Sequence, residues 1–142
     1  MLIVFIGESC TGKSTLAEKA GEALNAEIVT GKDYLRMAKS ESIAAALFKK
    51  KLAASVEGEN LIYVISEKEH LALLPEGAVR VLVTAELSDI KDRFRERMHG
   101  VLPPPVEQML ERRHGCFDSV SHDYEFNSSS GDAEEFIASL AL

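Results

Sequence analysis

Short apolar runs alternate along the chain with stretches in which apolar residues recur every three or four positions. Residues 2–6, 61–65 and 78–84 are almost continuously apolar and predict buried strands, and 26–29 and 124–126 predict shorter ones. Helices are predicted by the spacing of Leu16, Ala20 and Leu24, of Ile43, Leu47, Leu52 and Val56, of Leu71 and Leu74, of Leu87, Ile90, Phe94 and Met98, by the stretch after Pro105, and by Phe136, Ile137 and Leu140.

This alternation of strands and helices predicts an α/β protein. Strands that are apolar at nearly every position suit a parallel sheet that helices cover on both faces. We therefore expect a three-layer α/β/α fold around a mostly parallel sheet of about five strands. The 142 residues have the size of one domain, which we expect to span 1–142.

The composition bears on the location of the protein, its binding partners and its cysteines. No stretch approaches the roughly twenty apolar residues of a membrane span, and the run at 2–6 lacks the features of a signal peptide, so we expect a cytoplasmic protein without membrane contact. The formal net charge of −7 disfavours nucleic-acid binding. Cys10 and Cys116 are too few for a disulfide framework and are expected to be reduced thiols.

The stretch GESCTGKST lies between the first strand and the first helix, the context that a phosphate loop requires. Its glycines let backbone N–H groups converge on phosphate oxygens, and the helix N-terminus adds partial positive charge. Lys13 can reach the β- and γ-phosphates, and the Ser14 hydroxyl suits Mg²⁺. The predicted site for ATP with Mg²⁺ comprises Gly7, Glu8, Ser9, Cys10, Thr11, Gly12, Lys13, Ser14 and Thr15.

A second candidate segment, TGKDYLR at 30–36, follows the second strand. Ligands gather at the carboxyl ends of parallel strands, so this segment is expected beside the mouth of the phosphate loop. Asp33 and Arg36 share one helical turn and are the candidate acceptor-binding residues, with Arg36 suited to gripping a phosphate. The alternative is an ordinary helix start with Arg36 in solvent.

A third candidate segment is DIKDRFRERMHG at 89–100. Arg93 and Arg97 lie one turn apart and can neutralise the charge of a transferring phosphoryl group. The alternative is a solvated helix face balanced by neighbouring carboxylates. Gly100 and the prolines at 103–105 suit the hinge of a small lid at 97–113, with Arg112 and Arg113 at its far end.

Together these segments resemble the nucleoside monophosphate kinases, in particular the cytidylate and adenylate kinases. Those families join GxxxxGKS/T to a GD-x-x-R segment, whose counterpart here is Gly31 to Arg36 with Lys32 as an extra residue. They continue with a strand such as AVRVLVTAEL, an arginine-bearing lid, and an ending similar to DYEFNSSSGDAEEFIASL. The resemblance implies transfer of the γ-phosphoryl group of ATP to a nucleoside monophosphate, with Asn127 and Ser128 near the adenine.

The sequence departs from that family after the third strand and in its length. Where the family places Asp or Arg, this chain has Ser66, Glu67 and Lys68. Glu67 is a candidate for orienting Mg²⁺-bound water, and the alternative role for Ser66 or Glu67 is to cap the next helix. Because the chain is short, the acceptor-binding region must lie within 33–58.

We therefore predict a phosphotransferase that acts on a small phosphorylated acceptor, with Lys13, Arg93 and Arg97 catalytic and Asp33 and Arg36 binding the acceptor. Two alternatives remain. One is a kinase of a hydroxyl-bearing metabolite with Asp33 as its base. The other is a module that binds or hydrolyses ATP without transferring a phosphoryl group to an acceptor. His114, Cys116, Asp118 and His122 match no usual metal-ligand spacing, and His70 and His99 are assigned no role.

Overall fold

The computed structural model describes residues 1–140, and within them one parallel sheet has the strand order β2-β3-β1-β4-β5. The strands are β1 (Leu2–Ile6), β2 (Glu27–Thr30), β3 (Leu61–Ile65), β4 (Val79–Thr84) and β5 (Tyr124–Asn127). The α-helices are α1 (Lys13–Leu24), α2 (Glu41–Val56), α3 (Leu87–Arg97), α4 (Pro104–Arg113) and α5 (Ala133–Leu140). Helices lie on both faces of the sheet, which confirms the predicted three-layer α/β/α fold.

The central strand β1 is buried at every position because its side chains alternate between two apolar layers. Ile3 and Phe5 pack in the layer that α1 and α5 cover. Leu2, Val4 and Ile6 pack in the layer covered by Phe48 and Leu52 of α2. Each such side chain stabilises the fold by about 1.5–3 kcal/mol. This central position holds the loop after β1 in the middle of the sheet's carboxyl edge.

A smaller apolar cluster lies under the phosphate loop. Cys10 of the loop packs with Ala85, with Ile90 of α3 and with Leu110 of α4. Lys91 of α3 also donates hydrogen bonds to Glu107 and Glu111 of α4, at 3.3 and 2.8 Å. The two helices that carry the predicted lid arginines are therefore packed on each other and against the loop.

Two short segments differ from the helices expected there. The segment with Leu71 is a six-residue 3₁₀-helix, Lys68–Leu73, in which only His70 and Leu73 are buried. Glu67 precedes it but its carboxylate caps no helix N–H, so the alternative in which the Glu67 side chain caps this helix is wrong. Asp33–Met37 is also a 3₁₀-helix. The predicted second strand is displaced by one residue, because pairing of Glu27 with Leu61 sets its start.

No helix within residues 1–140 has both the length and the apolar character needed to cross a bilayer.

Candidate active site at the phosphate loop

The loop after β1 adopts a conformation that its glycines make possible. A side chain at Gly7 would place its Cβ 2.5 Å from the backbone oxygen of Val83, so this position has no room for one. Gly12 has a φ of 93°, a left-handed conformation that costs glycine little. Cys10 also has a positive φ, 65°. The strained, closely packed turn leads directly into α1, as the phosphate-loop pattern requires.

Lys13 lies inside this loop with its ammonium group held against the backbone. Its side chain is almost fully buried, at 5% exposure, and its Nζ donates a 2.6 Å hydrogen bond to the Glu8 carbonyl oxygen. Burial lowers the pKa of Lys13 to about 8, and the positive charges of Arg97 and Arg113 act in the same direction. A partly desolvated cation at this point is prepared to receive phosphate oxygens.

A cavity of about 800 Å³ opens beside the loop. This volume falls within the range of small-molecule and cofactor sites. Ser14 is exposed at its wall, at the first turn of α1. The cavity lining includes Ser9, Cys10, Gly12, Lys13, Ser14, Thr15, Lys19, Ser66, Arg93, Glu96, Arg97, Phe126 and Ser128. Of the predicted loop residues, Gly7, Glu8 and Thr11 lie behind this surface.

The two predicted arginines of α3 differ in their surroundings. Arg97 is exposed and lines the cavity, close enough to Lys13 to influence its pKa. Arg93 is half-buried, and its Nη1 donates hydrogen bonds to the Cys10 carbonyl oxygen at 2.9 Å and to Ser128 Oγ at 3.2 Å. Ser128 in turn donates to the Thr11 carbonyl oxygen. Both arginines line the cavity, but Arg93 is tied to the loop backbone by these hydrogen bonds, whereas Arg97 is exposed.

A second, smaller cavity of about 320 Å³ lies on the other side of Ser14. Ser14, Thr30, Gly31, Lys32, Asp33, Val64, Ser66, Glu67 and His70 form its lining. Ser14 and Ser66 line both cavities, which places the two spaces side by side at the start of α1.

The two predicted acceptor residues have different positions relative to this cavity. Asp33 lines it, and its Oδ2 accepts hydrogen bonds from the backbone N–H and the hydroxyl of Thr30, at 3.2 and 3.0 Å. Within residues 1–140, Oδ1 of Asp33 accepts no hydrogen bond from another side chain or from a loop N–H. Arg36 is exposed, and it is not among the described residues that line the cavity.

No protein-family model matches the sequence, and no curated protein is similar to it in sequence. Solved structures do resemble it. YorR of Bacillus subtilis, solved with phosphorylated GDP, has a TM-score of 0.66 at 19% identity over 99% of this chain and 94% of that one. Shikimate kinase of Acinetobacter baumannii, solved with shikimate, has 0.65 at 15% over 99% and 90%. An uncharacterized Eubacterium ventriosum protein has 0.70 at 14% over 99% and 96%.

The chain has the P-loop kinase fold. Both its five-stranded parallel sheet, seen within residues 1–140, and the covering helices match these neighbours. At such identities the likeness shows the fold alone, so the roles of individual residues rest on the geometry of this site.

In a P-loop kinase fold the protein supplies few ligands to Mg²⁺, because phosphate oxygens and water complete the shell. The site fits that arrangement. The hydroxyl of Ser14 is exposed between the two cavities, and the carboxylate of Glu67 lies at the edge of the smaller one. Glu67 is also 3.5 Å from the guanidinium of Arg113. The residues that would hold the ion are Ser14, through its hydroxyl, and Glu67, through a water.

Sequence reasoning missed the partners that hold this P-loop in place. The buried carboxylate of Glu8 contacts His114 Nδ1 at 3.1 Å and accepts a 2.9 Å hydrogen bond from the Gly115 N–H. Arg113 Nη2 donates to the Ser66 carbonyl oxygen at 3.1 Å. Arg113 is the last residue of α4, and His114 and Gly115 follow it, about a hundred positions from Glu8, so no local spacing indicates the contacts. The only sequence signal was Arg113, predicted at the far end of the lid with no partner assigned.

Proposed function

We propose that this protein is a kinase that transfers the γ-phosphoryl group of Mg-ATP to a small acceptor molecule. The observation that carries the proposal is the pair of adjoining cavities, one around the P-loop and one around Asp33, which share Ser14 and Ser66. Phosphoryl transfer needs donor and acceptor in line on either side of the moving group. Two cavities that meet beside the phosphate-binding loop would let a donor and an acceptor lie next to each other there.

The larger cavity is the donor site in this proposal. Backbone N–H groups of residues 7–15 and the ammonium of Lys13 hold the β- and γ-phosphates, and the hydroxyl of Ser14 holds Mg²⁺. When bound, the ion neutralises phosphate charge. Arg97, at the cavity wall, stabilises the charge of the transferring group. Phe126 and Ser128, which also line this cavity, contact the base in this proposal.

The smaller cavity is the acceptor site, and its charges favour a hydroxyl-bearing metabolite. Two carboxylates, Asp33 and Glu67, line it together with one ammonium, Lys32. A phosphate dianion would meet repulsion there, whereas a hydroxyl benefits from a base. Asp33 takes the proton of that hydroxyl as the hydroxyl oxygen forms a bond to the γ-phosphorus. The bond from phosphorus to the bridging β–γ oxygen breaks, and ADP leaves.

A nucleoside monophosphate acceptor is the second candidate. Arg36 favours it, because this exposed arginine is one turn from Asp33 and bears no ion pair within the described residues. YorR, a neighbour in fold, was solved with a phosphorylated nucleotide.

Asp33 and Arg36 offer a matched comparison between the two acceptor classes. With a hydroxyl acceptor, Asp33→Asn should lower kcat about 10²- to 10⁴-fold, because the base is lost, and Arg36→Ala should have little effect. With a phosphorylated acceptor the order of the two losses reverses. The measurement is ADP release from Mg-ATP in a coupled assay, with sugars, polyols, shikimate, gluconate and nucleoside monophosphates as acceptors and product mass as confirmation.

The same assay includes the outcome that would reject a kinase. Acceptor-independent ADP release, or ATP binding with no release, would instead support the hydrolytic or non-catalytic module. Lys13→Ala is the control: its turnover should vanish while its circular dichroism spectrum stays that of the wild type. Wild-type rates from Lys13→Ala would remove the P-loop from the mechanism.

A further inference from the structure

His70 contributes an unusual group to the wall of the smaller cavity. The residue is 4% exposed, in the 3₁₀-helix Lys68–Leu73 that follows β3. Its Nδ1 is the one buried side-chain nitrogen or oxygen among residues 1–140 that has no hydrogen-bond partner. Buried polar atoms are nearly always paired, so an unpaired one calls for an explanation.

The ring of His70 lies near Tyr34 and Gly31. Tyr34 contacts it edge-on, with 6.2 Å between ring centroids. On the cavity side stands Gly31, which has no side chain: a Cβ there would lie 3.9 Å from Cε1 of the imidazole, the atom bonded to both ring nitrogens. Gly31 and His70 both line the cavity. His70 therefore forms part of the cavity wall, with the ring carbon between its two nitrogens beside Gly31.

The charged groups around the ring do not satisfy Nδ1. Glu69 lies 3.7 Å from the other nitrogen, Nε2, which is beyond hydrogen-bond distance, and its own side chain is 72% exposed. From neighbouring elements, Asp33 and Lys32 line the same cavity, as does Glu67 of the loop before the helix. The carboxylate of Asp33 is engaged with Thr30, and that of Glu67 is paired with Arg113.

We propose that the smaller cavity takes an uncharged polyhydroxyl acceptor and that His70 Nδ1 hydrogen-bonds one of its hydroxyls. A hydroxyl suits an imidazole nitrogen in either tautomer, since it both donates and accepts. Phosphate and carboxylate groups would lie against Asp33 and Glu67. The inference rests on the proposed kinase function and adds to it a substrate class and a positioning residue, distinct from Asp33 as the base.

Two variants at position 70 separate this role from a structural one. His70→Leu removes the polar atom, whereas His70→Asn keeps one near the position of Nδ1. With a neutral polyol acceptor, His70→Leu should raise the acceptor KM about tenfold, the value of one hydrogen bond, with kcat and the ATP KM within about twofold. His70→Asn should recover most of that loss. His99→Asn, an exposed position with a φ of 58° that Asn tolerates, is the control and should match the wild type.

Thermal unfolding of the ligand-free protein provides a second readout. Because Leu buries no unpaired nitrogen, His70→Leu should unfold at the wild-type temperature or about 3 °C above it. A purely structural histidine predicts the opposite, a lower unfolding temperature and an unchanged acceptor KM. That pair of results would overturn the role of His70.

The acceptor class is tested with glycerol, ribitol, D-glucose and myo-inositol, each beside its monophosphate, together with gluconate and shikimate. Turnover is assayed with Mg-ATP, and binding with a non-hydrolysable ATP analogue, following the imidazole resonance that His70→Leu removes. Saturation by a neutral polyol, with a shift of that resonance, supports the inference. Preference for the charged compounds, or no response to any compound, overturns it. If ATP itself does not bind, or binds equally to Lys13→Ala, the proposed function fails instead.

Discussion

Lys13 shows how a functional residue can be placed at the expense of stability. A buried ammonium loses hydration, and the carbonyl oxygen of Glu8 replaces only part of it. The resulting pKa of about 8 lies well below the ordinary 10.5. In the proposed function, phosphate oxygens that enter the loop would offset the energy needed to hold this charge in the ligand-free protein.

This placement predicts a pH-dependent stability. Between pH 8 and 10.5 the folded protein binds fewer protons at Lys13 than the unfolded chain, so the free energy of unfolding rises with pH in that window. The destabilisation is complete below pH 8, amounts to about 3 kcal/mol, and disappears above pH 10.5. Lys13→Met keeps the apolar stem and removes the charge, so it should be more stable than the wild type at pH 7.

Urea unfolding of the wild type and Lys13→Met at several pH values checks this expectation. Subtracting the free energy of unfolding of the wild type from that of Lys13→Met removes the contribution of other titrating groups. It should shrink steadily as the pH rises from 8 to 10.5. A difference that stays constant with pH would show that the ammonium group is not the cause.

At the scale of elements, α3 brings two arginines to the P-loop. Both line the cavity, but Arg93 is half-buried and donates hydrogen bonds to the loop backbone and Ser128, whereas Arg97 is exposed. Helix α4 supports α3 through the contacts of Lys91, whose hydrogen bond with Glu111 raises its pKa. The segment predicted as a lid is therefore fixed at its base.

Kinetic effects of the two arginines should differ accordingly. Arg97→Ala should lower kcat by about 10²-fold with little change in the KM for ATP, because it removes charge stabilisation of the transferring group. Arg93→Ala should raise the KM for ATP about tenfold, because the loop loses its support. Steady-state kinetics with a saturating acceptor measures both effects. Identical effects of the two substitutions would mean that they share one role.

At the scale of the whole molecule, the parallel sheet collects the loops that carry chemistry at one edge. The P-loop follows the central strand, and the segments with Asp33 and Ser66 follow the two strands on one side of it. Ligands of open parallel sheets bind at such a carboxyl edge. A nucleotide bound at this edge would contact the loops after β1 and β3, so its binding should stabilise these strands and the helices that pack on them.

Binding of a non-hydrolysable Mg-ATP analogue should stabilise the entire fold. At a ligand concentration one hundred times Kd, the free energy of unfolding should rise by about 2.7 kcal/mol. Differential scanning calorimetry measures this as an increase in the unfolding temperature. Lys13→Ala should show little or no increase. An equal increase in the variant would place the nucleotide away from the P-loop.

Local patterns in the sequence determined the phosphate loop, the buried strands and the alternation of layers. These features depend on neighbours in sequence: the run at 2–6 is apolar at each position, and the glycines, Lys13 and Ser14 stand at fixed spacing. The helix expected around Leu71 is present, but as a 3₁₀-helix that ends before Leu74, because a short apolar spacing does not distinguish an α-helix from a 3₁₀-helix.

Tertiary structure alone decided which groups meet across the chain. Residue types at 33 and 36 favour two acceptors equally, and only the fold shows that Asp33 lines the cavity beside Ser14. The contacts of Glu8 with His114, of Arg93 with Ser128 and of Arg113 with Ser66 likewise join distant positions. Sequence periodicity indicates which face of each helix or strand is buried. The order in which the strands pack decides which distant residues meet at one site.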